Sequence, residues 1–177
     1  FRFYEIKENV TQLAQQHFTF LTNCPAALDV IHGDARLMLE NEAPQGFDLL
    51  VLDAFSGDAV PTHLLTAEAA QVYLKHLRPD GLIAFHVSNL HFDLQRVTEG
   101  LAEAATLQAL TLETAPVIDR ITGAQSLIEQ GSRWVLMSRE KSLLESEVYR
   151  KLRAQNLPGQ QVKVLWTDDF SNLIEVL

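Results

Sequence analysis

The sequence predicts an α/β domain: a mostly parallel sheet with helices on both faces. Short apolar runs alternate with amphipathic helical stretches at the spacing of strand–helix units. The run Phe47–Leu52 is apolar apart from Asp48, the pattern of a strand buried on both faces of a parallel sheet. Acidic residues stand directly after several apolar runs, at the sheet edge where such folds hold their ligands.

The elements follow in order. Phe1–Ile6 reads as a strand, and Glu8–Phe18 as a helix with Val10, Leu13, Ala14 and Phe18 near the helical period. Leu28–Ile31 is a strand running into Gly33-Asp34. Arg36–Asn41 is a short helix closed by Pro44-Gln45-Gly46. After the strand Phe47–Leu52, Thr66 is expected to cap a helix whose buried face carries Ala70, Tyr73, Leu74 and Leu77. Glu68 in its first turn and Lys75, His76 and Arg78 near its end suit the helix dipole. Pro79-Asp80-Gly81 stops it and turns the chain. Leu82–Val87 is a further buried strand, and Leu94, Val97 and Leu101 mark a helix over Phe92–Ala105. Leu107–Leu112 and Arg133–Met137 are strand-like. Ser142 opens a helix carrying Leu144, Val148 and Leu152, and Val162–Trp166 reads as a final strand.

Composition narrows the function. The 177 residues are 47% apolar and 21% charged, ordinary for a folded soluble domain and unlike a disordered or fibrous chain. No apolar run approaches the roughly 20 residues of a membrane span, and no signal peptide is visible, so a cytoplasmic location is expected. Fourteen Lys and Arg against 23 Asp and Glu give a net charge of −9. Such a domain repels phosphate backbones, so no nucleic-acid partner is expected; the balance suits a cationic small molecule. Cys24 is the single cysteine, which excludes an internal disulfide and a cysteine-based zinc site. The six histidines show no metal-ligand spacing, so no metal is expected.

The acidic strand ends are the candidate site. An ionised carboxylate only accepts hydrogen bonds, and its two oxygens can take both hydroxyls of a ribose or the hydrogens of an amine. Glu5 is either a solvated strand terminus or such a ribose holder. Asp34, in Gly33-Asp34-Ala35, either caps the following helix or faces a ligand. Asp53 follows Leu49-Leu50-Val51-Leu52, where an unpaired carboxylate is costly, so a chemical role there competes with a turn role. Asp58 lies in the loop Ala54–Leu65, read either as a lid or as an ordinary strand-to-helix connection. His86 is the histidine to watch, because its strand ends at the same edge. Asp168-Asp169 suits a helix or turn cap rather than substrate contact, and Trp134 and Trp166 suit the core.

Phe3-Tyr4-Glu5-Ile6, Ile31-His32-Gly33-Asp34-Ala35-Arg36, Phe47-Asp48-Leu49-Leu50-Val51-Leu52-Asp53, the stretch Leu65–Asn89 and the run Trp166–Leu173 occur in an order and spacing that resemble the spermidine synthase family. They are most similar to its bacterial spermidine-synthase-like branch, some members of which are fused to membrane transporter segments. The resemblance implies a Rossmann-like S-adenosylmethionine-dependent methyltransferase fold. It also implies an aminopropyltransferase that moves an aminopropyl group from decarboxylated S-adenosylmethionine, or a relative using S-adenosylmethionine, to a polyamine acceptor. Glu5 would then hold the ribose hydroxyls, Asp34 and Ala35 would face the adenine, and Asp53 would occupy the place of the catalytic acid. Ser56, Asp58 and Tyr73 would lie toward the small-molecule amine substrate.

The family's Gly-rich turn follows a strand that would precede Phe1, and none of the eight glycines forms a G-x-G pair. The expectation is therefore one spermidine-synthase-like domain over residues 1–177, incomplete at its N-terminus and lacking the first strand and the Gly-rich loop. Activity is expected of the full-length parent, and an open strand edge could recruit a second copy into a homodimer. Ser56 stands where synthases carry a second acid, and Ala69-Ala70 where they carry an aromatic pair. Those departures motivate an alternative class, a non-catalytic binding or regulatory module. A third reading is an N-methyltransferase, because Ser88-Asn89-Leu90-His91 follows a strand where amino-methyltransferases place an N-P-P-aromatic run.

Overall fold

Strands and helices alternate from the first residues onward. The computed structural model describes residues 1–54, 60–89, 91–114, 131–147, 149 and 162–177. The chain forms two compact units, Phe1–Gln45 and Gly46–Leu177.

In the first unit, β1 (Arg2–Glu5) pairs in parallel with β2 (Asp29–His32), with Tyr4 opposite Ile31 and Glu5 opposite His32. Phe1–Ile6 thus finds its partner in the next strand of the sequence, through α1 (Glu8–His17). The helix forms as its periodicity predicts, yet Val10, Leu13 and Phe18 are exposed and Thr11 is its buried residue. A two-stranded sheet offers too narrow a face to cover a whole apolar stripe. Gly33 turns β2 into α2 (Ala35–Asn41) at a φ of +145°, where a side chain would be strained and would press on Met38.

The second unit holds a four-stranded sheet in the order β3 (Phe47–Leu52), β4 (Leu77–His86), β6 (Arg133–Ser138), β5 (Gln108–Glu113). β3 and β4 are parallel, and β6 runs antiparallel to both its neighbours. β5 therefore points the same way as β3 and β4, and the sheet is parallel but for β6. β3 is an edge strand, and Leu49 and Val51 are exposed; this corrects the expectation of burial on both faces. Among the described residues, β3 has a ladder partner on one side only.

Two helices cover the sheet's core. α3 (Ala67–His76) starts at Thr66, whose Oγ1 accepts the Ala69 amide at 3.2 Å, and buries Ala69, Ala70, Tyr73 and Leu74. α4 (Leu94–Ala104) buries Leu94, Val97 and Leu101. Residues 79–81 do not form a separate turn. They lie within β4 as an irregularity, since Phe47 pairs with Leu77 but Leu49 with Leu82. α5 (Lys141–Leu144) matches the helix opened by Ser142, while Val148 and Leu152 lie outside the described residues. The expected final strand is not formed: residues 162–166 are irregular and bond to α4 instead. The Val164 amide donates to the Arg96 carbonyl at 3.1 Å and Arg96 Nε to the Val162 carbonyl at 2.7 Å. Trp166 is fully buried, and a 3₁₀ turn, Leu173–Val176, follows.

Candidate functional site

The parallel pairing of β3 with β4 sets Leu52 beside Phe85, so the next residues, Asp53 and His86, emerge together at the carboxyl ends of the two strands. Their side chains meet there: His86 Nδ1 lies 2.7 Å from Asp53 Oδ1. The antiparallel ladder on the other side of β4 places Trp134 directly opposite His86. The imidazole stacks on the indole with ring centroids 4.6 Å apart and planes inclined by 20°. The ring is thus fixed in plane by Trp134 and in rotation by Asp53. The Asp53 side chain is 56% exposed and that of His86 25%, so solvent or a ligand can reach the pair.

Just beyond, Asn89 closes a turn, its Oδ1 accepting the amides of His91 and Phe92 at 2.9 Å each. The Ser88 hydroxyl oxygen accepts the Arg133 amide at 2.7 Å, tying this turn to β6. The Ser88-Asn89 pair that suggested a methyltransferase motif therefore has a turn-building role.

The remaining expected site residues fall in different places. In the first unit, Glu5 ends β1, and its Oε1 accepts the Lys7 amide at 2.8 Å. Asp34 is the N-cap of α2, with Oδ1 accepting the Leu37 amide at 3.0 Å, and Ala35 is the first helical residue. Tyr73, expected near the amine, is 1% exposed; its hydroxyl donates to the Leu64 carbonyl at 3.0 Å and its ring meets Phe85 edge-on. Its position on the apolar stripe of α3 takes it into the core. Ser56 and Asp58 lie outside the described residues.

The His86–Trp134 stack and its bond to Asp53 are what sequence reasoning passed over. The signal was present in His86 ending an apolar strand that follows a strand ending in Asp53. The register that pairs them depends on the irregularity at residues 79–81. Among the described residues, no group of three or more His, Cys, Asp or Glu side chains could hold a metal ion. No helix among them is long and apolar enough to cross a membrane.

No family model matches the chain. A polyamine aminopropyltransferase of Vibrio vulnificus (strain CMCP6) is 32% identical over 93 residues, which are 49% of this chain and 30% of that protein. Among solved structures, the spermidine synthase of Thermotoga maritima superposes with a TM-score of 0.58 at 12% identity, covering 95% of this chain and 54% of that one. A probable spermidine synthase from Corynebacterium glutamicum ATCC 13032 superposes with a TM-score of 0.53 at 19% identity, covering 77% and 46%. The chain thus spans between about a third and about half of the length of these relatives. The alternating elements, the reversed strand β6 and these superpositions define a Rossmann-like methyltransferase fold. Within that class, the chain is similar to a polyamine aminopropyltransferase over about half of its own length and to spermidine synthases in fold.

Proposed function

We propose that the protein carrying this chain is an aminopropyltransferase that moves an aminopropyl group from decarboxylated S-adenosylmethionine to a polyamine acceptor. The observation that supports this reading is the Asp53 carboxylate at the shared carboxyl end of β3 and β4, the residue that the sequence resemblance matches to the family's catalytic acid. Glu5 and Asp34 each bring an acceptor-only carboxylate to the end of a parallel strand, as ribose hydroxyls and an adenine amine require.

The sulfonium supplies an activated methylene carbon; this chain's residues supply alignment and a route for the proton. The attacking amine must be neutral, whereas an alkyl ammonium loses its proton only near pH 10, as lysine does. A carboxylate beside it orients the amine and takes up the proton, directly or through a neighbour. Holding amine and sulfonium in line supplies much of the remaining acceleration. The cytoplasmic setting and the small amine partner belong to the same proposal.

Titration calorimetry of the whole protein with methylthioadenosine tests it. Saturable heat is expected, and no heat at millimolar ligand overturns the nucleoside reading. A second reading, a non-catalytic binding module, draws on the burial of Ala69 and Ala70, which leaves the start of α3 without an exposed aromatic pair. Putrescine-dependent release of methylthioadenosine by the whole protein would eliminate it.

A further inference from the structure

We infer that the proton acceptor at this site is the His86 imidazole, with Asp53 acting through it as the residue that orients the ring. The inference rests on the aminopropyltransferase reading and refines which atom does the chemistry. An ionised carboxylate carries no proton to donate, so the 2.7 Å bond between Asp53 Oδ1 and His86 Nδ1 needs the hydrogen on Nδ1. A neutral imidazole protonated at Nδ1 has its lone pair on Nε2, on the side of the ring away from the carboxylate. The Trp134 indole lies against the face of the ring, which leaves the edge bearing Nε2 unobstructed by the stack. An acid that fixes the tautomer, an imidazole that accepts at its far nitrogen and a wall that fixes the plane are the parts of a general base.

The acceptor's ammonium gives one proton to His86 Nε2, making an imidazolium whose Nδ1–H still faces the Asp53 carboxylate. The neutral amine nitrogen attacks the methylene next to the sulfonium, forming the C–N bond. The C–S bond breaks with its electron pair going to sulfur, which leaves as a neutral thioether. The new secondary ammonium carries one positive charge, and the imidazolium carries the one the acceptor gave up. Nε2 returns its proton to solvent, which reaches the quarter-exposed side chain.

Two measurements on the whole protein test the assignment. Nitrogen-15 spectra of histidine-labelled protein, with the His86 signal identified by its loss in His86→Gln, report the tautomer without any turnover. The Nδ1–H form is expected, and release from it in Asp53→Ala. An Nε2–H form in the wild type overturns the proposal. In turnover with a nucleoside sulfonium and putrescine, His86→Gln is expected to lower kcat by about a hundredfold with KM for the amine changed by less than about threefold. Added imidazole should restore part of the activity of His86→Ala. Wild-type kcat in His86→Gln overturns the proposal. A wild type that turns over no amine counts against the aminopropyltransferase reading, while the tautomer still decides for or against the dyad.

Discussion

Thr66 and Asp168 join the start of α3 to the C-terminal segment across 102 residues of sequence: Thr66 Oγ1 donates to Asp168 Oδ1 at 2.8 Å while accepting the Ala69 amide. Around this contact the Asp168 amide donates to Glu68 Oε2 at 2.9 Å and the Ala67 amide to the Trp166 carbonyl at 2.9 Å. The helix N-terminus is thereby satisfied by the tail, and the tail is anchored by the helix. Thr66→Ala removes the cap and leaves Asp168 without this donor. It is expected to cost about 1–2 kcal/mol in urea unfolding. Thr66→Ser keeps the hydroxyl and should recover most of that loss. Equal stability of the alanine variant and the wild type would show that the contact contributes nothing.

Arg78 and Asp48 make a contact just as short, 2.8 Å, with the opposite expectation. Their side chains are 54% and 83% exposed, so water screens the pair and ordering two mobile side chains offsets the attraction. Asp48→Ala is expected to change stability by less than about 0.5 kcal/mol. A loss of the size predicted for Thr66→Ala would contradict the screening argument.

Local chemistry was legible in the sequence where it acts over a few residues. Thr66 as a cap, Asp34 before its helix and the apolar stripe of α3 are all short-range signals, and all are present in the fold. What was hidden depends on partners distant in sequence. Val162–Trp166 has strand composition, but Gly100 on α4 admits its backbone, so it lies on a helix. Phe47–Leu52 has the composition of a central strand, yet its place at the sheet edge exposes Leu49 and Val51. The helical spacing already puts Tyr73 on a buried face, whereas its edge-on partner Phe85 comes from a strand distant in sequence. The same holds at the candidate site. Asp53 is visible as a carboxylate after a strand; its bond to His86 exists only through the register of β3 on β4.

Tyr4 gives the first unit a dependence on alkaline pH. Its hydroxyl donates to Glu42 Oε2 at 2.9 Å, and the same oxygen accepts from Arg2 at 2.8 Å. Partial burial, then the bond to Glu42, pushes the phenol up from 10.0 to about 12. The folded chain therefore holds this proton more tightly than the unfolded chain. The contribution is fully present below pH 10, where both states are protonated, and is lost as pH rises through about 12. Urea titrations of the wild type and Tyr4→Phe across this range should diverge, the wild type losing stability more steeply. Parallel pH profiles would mean that the phenol is not held in this way.

Gly100 offers the sharpest test of the packing between α4 and the tail. At an open helical position, Gly→Ala stabilises by about 1 kcal/mol through backbone entropy. Here a methyl group would stand 2.8 Å from the Val164 carbonyl carbon and press on the carbonyl oxygen. The obstacle is backbone, which cannot rotate away as a side chain could. Val164 is held where it is by its amide bond to the Arg96 carbonyl, one turn earlier on the same helix. Relief requires the 162–166 segment to lift, which strains that bond and loosens the buried Trp166 two residues on. Overpacking of this kind costs roughly 1–3 kcal/mol, enough to reverse the helical gain. Gly100→Ala is therefore expected to lower the urea midpoint and to speed hydrogen exchange at the Val164 amide. A higher midpoint with unchanged exchange would show that the tail does not lie against α4 at Gly100.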